Sequence, residues 1–203
     1  MRARPLLIVT LVLALAALSG CGGGDKNNGT DSSGSSADGK QSKVSADAYP
    51  TIKKFAASNI ALENYGPVCD ELAGFKDDKV AQVSEKTCRN LVTLTKSLEK
   101  FKTAGAKCKN LNCVADKTEP IISNYLTSFG DVLRAHNSAL AGVLKPGPCL
   151  TGLQTSQADL DKLDASLKRL PAAIKAFRGG DRTALSGLFK GNFGTPDPAP
   201  CKP

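Results

Sequence analysis

Apolar residues return every three or four positions along most of the chain, and this period limits the possible folds more than any other feature. One stripe runs through Ile52, Phe55, Ala56 and Ile60, and predicts a first helix from about Asp47 to Asn64, ended by Gly66-Pro67. A second runs through Val80, Ser84, Thr87, Leu91, Leu94, Leu98 and Phe101. It predicts a helix from about Lys79 to Thr103, with Asp77 or Asp78 as cap and Gly105 as stop. A third runs through Ile122, Tyr125, Phe129, Val132, His136, Leu140 and Val143. It predicts a helix from about Glu119 to Leu144, opened by a capping-box variant of Asp116 and Glu119, with Pro120 in its first turn. The fourth, Leu160, Leu163, Leu167, Leu170, Ile174 and Phe177, keeps its phase across Pro171 and predicts one kinked helix from about Ser156, ended by Gly179-Gly180. Asp181 then caps a short fifth helix to about Lys190, and the tail from Thr195 to Pro200 reads as extended.

Each helix has one apolar face and the connections are short, so the expected fold is all-α: an antiparallel four-helix bundle plus a short C-terminal helix. Strand signals are weak, because Ala, Leu, Lys, Ser and Asp dominate and β-branched alternation is rare. Gly66-Pro67-Val68-Cys69 echoes Gly147-Pro148-Cys149, each ahead of a long helix, an echo that the needs of any bundle also explain.

The N-terminus follows a different logic. Arg2 and Arg4 are followed by 13 residues, Leu6 to Leu18, that are apolar apart from Thr10. This order of charge and greasy core is that of a secretory signal. The run is too short for a bilayer core of about 30 Å, which needs about 20 residues. Leu18-Ser19-Gly20-Cys21 closes the segment and resembles the lipobox of bacterial lipoproteins. The resemblance covers only the N-terminus. It implies a signal peptide over residues 1–20, cleavage after Gly20, diacylglycerol on the Cys21 thiol and attachment to the cell membrane or outer membrane. Two acyl chains suffice for stable anchoring, since each buried CH₂ contributes about 0.8 kcal/mol. Beyond the lipobox no motif points to a domain family.

Residues 21–45 then read as the lipidated cysteine and a disordered linker, with Val44 the one large apolar residue among Gly, Ser, Asp and Lys. Residues 46–203 remain for a single helical domain.

Seven cysteines occur, and acylation of Cys21 leaves six, an even number that argues for three disulfides in an oxidising, extracytoplasmic space. Bundle geometry favours Cys69–Cys88, Cys108–Cys113 and Cys149–Cys201. The main rival joins Cys69 to Cys149. The Cys108-x4-Cys113 spacing is not the two-residue knuckle of common zinc sites, and no Cys-x-x-Cys occurs, so neither a metal site nor a thioredoxin-like role is indicated.

The formal charge is +8, or +6 once the two signal arginines are removed, with lysine spread along the chain. Its sign suits an anionic partner, but no nucleic-acid recognition motif is present. His136 is the one histidine, set in the apolar register of its helix, which reads as packing rather than as a metal or haem ligand. No Gly-x-Ser-x-Gly elbow accompanies it and no glycine loop suits a phosphate. Asp77-Asp78 and Asp159, Asp161 and Asp164 read as helix-terminal and solvated-face acids, with Asp164 near Lys168 on its helix. The expectation is a non-enzymatic envelope lipoprotein without catalytic, metal or cofactor residues. Its domain binds or scaffolds an envelope protein or anionic polymer, and the alternative is a small-ligand carrier with a site between helices.

Overall fold

The computed structural model describes residues 39–57, 65–189 and 196–203. The signal segment, Cys21 and the linker up to residue 38 lie outside the described residues, as does the expected end of the first helix at Asn64. The fold is all-helical. The one β-type contact among the described residues is an isolated parallel bridge between Gln41 and Leu144.

Three long helices set the frame: α3 (Lys79–Ala104), α4 (Leu111–Val143) and α6 (Gln157–Arg178). The middle member is α4, packed on α3 along one side and on α6 along the other. Cross-helix pairs fix the directions. Thr87, early in α3, meets His136, late in α4, at 2.9 Å. Arg178 at the end of α6 meets Asp116 near the start of α4 at 2.7 Å, while Arg134 meets Asp164 at 2.6 Å. Both neighbours therefore run antiparallel to α4.

The stripes read from sequence form the core of this layer, with Ile122, Tyr125, Phe129 and Leu140 of α4 and Leu160, Leu163, Leu170, Ile174 and Phe177 of α6 buried. Caps end the helices where local chemistry supplies them. Asp78 accepts from the backbone N–H groups of Val80 and Ala81, Ser156 accepts from Asp159, and Gly105 and Gly179 follow the last turns of α3 and α6. Pro171 lies inside α6, which continues to Arg178.

Four expectations need correction. The first helix is described over α1 (Tyr49–Ala57), and a further helix, α2 (Tyr65–Ala73), packs on it and on α3. Gly66-Pro67 therefore opens α2 instead of stopping α1, as proline in a first turn can, since the N–H groups there lack helical partners in any case. Next, α4 starts eight residues before Glu119, because the Asn110 side chain caps it by accepting from Cys113 N at 2.9 Å. That places Pro120 within the helix, between the buried Thr118 and Ile122. A short α5 (Pro148–Leu153) follows the Lys145–Pro148 break, and the fifth helix is a 3₁₀ turn, Ser186–Phe189, with another at Ala199–Cys201 in the tail. Finally, residues 39–45 are packed on the domain. Val44 is buried, Gln41 N donates to Val143 O at 2.9 Å, and Lys145 N returns to Gln41 O at 3.0 Å. The packed part thus begins before residue 46, and Val44 was the residue that marked it.

Candidate functional site

The domain has a lower end, where α3 begins and α4 finishes, and an upper end at the α3–α4 turn. The two differ in construction.

The lower end gathers residues 39–45 and 196–203. Cys69 joins Cys88, tying α2 to α3, and Cys149 joins Cys201, tying α5 to the tail; Cys108–Cys113 closes the turn at the upper end. These three disulfides are consistent with an oxidising compartment. Gly152 lets the tail lie flat on α5, because a Cβ there would stand 2.2 Å from the carbonyl oxygen of Asp197. Asp78 ties down the segment that leads in from the N-terminus. Besides capping α3 it accepts from Ser45 N at 2.8 Å and from Gln41 Nε2 at 3.1 Å. Burial pushes its carboxyl up, but the bonds from Ser45 and Ala81 outweigh that and hold it below its ordinary range.

Within the lower half, His136 is buried between α3 and α4 beside α1. Thr87 Oγ1 donates to Val83 O at 3.0 Å, so its oxygen is left to accept from His136 Nδ1 at 2.9 Å. This hydrogen-bond logic puts the imidazole proton on Nδ1. Burial drives the histidine down to about 4, so the ring is neutral at pH 7. Phe55 stands edge-on to both His136 (6.2 Å) and Tyr65 (6.3 Å). Above them Tyr125 stacks on Phe129 at 5.8 Å, and burial, with a smaller effect from Tyr65, raises the Tyr125 phenol to about 12. The cluster is an aromatic core with polar tips. A cold, neutral histidine paired to a threonine is a poor general base, and among the described residues no group of three His, Cys, Asp or Glu is placed to hold a metal ion. No described helix is long and apolar enough to cross a membrane.

The acids considered from sequence are absorbed by structure. Asp159 is buried and accepts from Ser156 Oγ and Lys162 Nζ, each at 2.7 Å. Asp164 pairs with Arg134 across the helices, not with Lys168.

The upper end does not show in a count of charge along the sequence. A plane through residues 93, 130 and 167 divides the three long helices near their middles. Above it, residues 93–130 and 167–185 carry eleven Lys and Arg against four Asp and Glu, a formal +7. The other described residues carry twelve against eleven, or +1. Lysine is even along the chain and uneven in space, because the end of α3, the start of α4 and the end of α6 all lie at this end of the antiparallel layer. More of the ion pairs lie below the plane, although exposed lysines such as Lys43, Lys53 and Lys86 have none there among the described residues. Lys54 with Glu71, Arg89 with Glu85 and Asp70, Arg134 with Asp131 and Asp164, and Lys162 with Asp159 all lie below the plane. Above it Arg178 engages Asp116 and Glu119 together. That leaves the exposed Lys96, Lys100, Lys107, Lys109, Lys117 and Lys175 without an ion pair among the described residues.

No protein-family model, no curated protein and no solved structure matches the chain, so its own fold and surface carry the functional argument.

Proposed function

We propose that the chain is an exported lipoprotein, held to a membrane by a lipid on Cys21, whose four-helix-type bundle acts by binding an envelope protein or anionic polymer. The observation that carries this reading is the cysteine count: a lipobox cysteine at position 21 and six others joined as three disulfides leave no thiol over. The Gly- and Ser-rich composition of residues 22–38 suits a solvated spacer between lipid and domain. The histidine, the cysteines and the buried acids all have packing or pairing roles, which favours binding over catalysis. Affinity purification of the tagged protein from its own membrane, after cross-linking, tests the reading. A reproducible envelope partner supports it, and recovery of the bare chain counts against it.

A second reading is a small-ligand carrier. It draws on the polar tips of Tyr65, Tyr125 and His136 among the aromatic rings of the core. Native mass spectrometry separates the two: a co-purifying small mass favours a carrier, and the bare protein mass opposes it.

A further inference from the structure

We propose that the upper end of the domain is a docking surface for a linear polyanion of the cell envelope, held by charge density rather than by the geometry of its anionic group. This deepens the binding role proposed above and rests on it for the location of the polymer.

Four observations support this surface. The first is the charge of +7 above the dividing plane against +1 below it. Like charges gathered within a screening length of about 8–10 Å repel and oppose folding, and the lower end relieves such repulsion with nearly as many acids as cations. The upper end does not, so its lysines are left for an external counter-charge. Second, the turn that carries Lys107 and Lys109 is closed by Cys108–Cys113 and capped by Asn110. The two ammonium groups are therefore presented from a fixed backbone. Third, the exposed cations are mostly lysines, point charges without the bidentate fork of arginine, and lysine is depleted from the cores of protein interfaces. The surface suits a flexible chain of repeated charges better than a shaped protein partner. Fourth, the chain enters the domain at the opposite end, where Lys79 Nζ bonds to Gly39 O and Gln41 pairs with Leu144. The 33 residues of α4 separate the two ends by about 50 Å. A tether that enters at residue 39 therefore meets the domain at the end far from the basic surface.

The test is binding of end-labelled long-chain polyphosphate to the full mature protein in mild detergent, read by fluorescence anisotropy. The wild type should bind and lose at least tenfold in affinity between 50 and 200 mM salt, roughly the loss expected when a few counter-ions are released. The triple variant Lys100→Glu, Lys107→Glu, Lys109→Glu should bind at least tenfold more weakly at 50 mM salt. Lys43→Glu, Lys53→Glu, Lys86→Glu makes the same change in net charge at the lower end and should stay within threefold of wild type. If the upper triple does not fold, the milder pair Lys107→Gln, Lys109→Gln should still weaken binding at least threefold. Equal weakening by both triples, or no weakening by upper-end variants, overturns the proposal. So does tighter binding, per anionic group, to vesicles of equal phosphatidylglycerol and phosphatidylcholine than to polyphosphate. The acyl mass on Cys21 is read on the same preparation. Polymer binding by a protein without it would keep the surface and discard only the anchor.

Discussion

The two ends of this domain put the same residue types to different uses. At the lower end cysteines join distant parts of the chain, 19 and 52 residues apart, and the cations are nearly matched in number by acids. At the upper end the disulfide spans only 5 residues and acids are few, so that six exposed lysines have no ion pair among the described residues. Core packing changes in step. The α3 stripe is buried at Val80, Ser84, Thr87 and Leu91, where α1 and α2 cover it, and half-buried at Leu94 and Phe101 above them. Stability is thus concentrated where residues 39–45 and 196–203 dock, and the far end is left to carry charge.

Substitutions at the two ends test this contrast. The largest effect is expected for Cys149→Ser with Cys201→Ser. Opening a loop of 52 residues costs about 4 kcal/mol in the chain-entropy account, and it also frees the tail from Gly152. Urea titration should show the loss, and a loss below about 1 kcal/mol would mean that the lower end is not where stability resides. Asp78→Ala comes next, at about 3 kcal/mol, since it removes a helix cap and leaves Ser45 N and the Gln41 amide without their acceptor. Residues 39–45 should then become susceptible to limited proteolysis ahead of the helices. The Asp78 carboxyl is held low in the folded state, so its contribution is full at neutral pH and is lost as pH falls through its folded value.

His136 gives a pH signature of similar size. Its folded value is about 4 against 6.5 when free, so the unfolded chain binds the proton first on acidification. Wild-type stability should be full above pH 6.5 and fall by about 3 kcal/mol as pH drops toward 4 from this group alone. His136→Leu should flatten that slope while costing little at pH 7, as denaturant midpoints at a series of pH values would show. An unchanged slope would mean that the histidine is not buried as described. The smallest effect is expected at the far end. Cys108→Ser with Cys113→Ser opens a loop spanning 5 residues, worth about 2 kcal/mol at most. Should this pair prove more damaging than the Cys149–Cys201 pair, the ranking of the two ends is reversed.

What could be read from the sequence was local chemistry. Asp78, Ser156, Gly105 and Gly179 end helices through bonds made within a few residues, and the core faces of α3, α4 and α6 follow from a period that any amphipathic helix shares. Gly66-Pro67 was read in the wrong sense because a Gly-Pro pair can follow one helix or begin the next, and only the Cys69–Cys88 tie and the docking of α2 on α3 decide between them. The early start of α4 was missed because Asn110 stands ahead of the apolar stripe and the first turn owes its order to the cap and the neighbouring disulfide. The basic end escaped notice for a different reason. Its lysines come from three segments, and charge counted along a chain says nothing of charge gathered in space. Adding the charges near each expected helix end would have revealed it. Cys21, the residue with the clearest sequence signal, lies outside the described residues, and chemistry rather than packing must decide its state.

The central claim is that one cysteine holds a lipid and six hold the fold. Intact mass spectrometry of the protein extracted from membranes, alkylated without reduction, tests it most directly. The account predicts a chain beginning at Cys21 with the mass of a diacylglyceryl group and no alkylated thiol. A soluble chain that starts elsewhere, with Cys21 alkylated and no acyl mass, would contradict it.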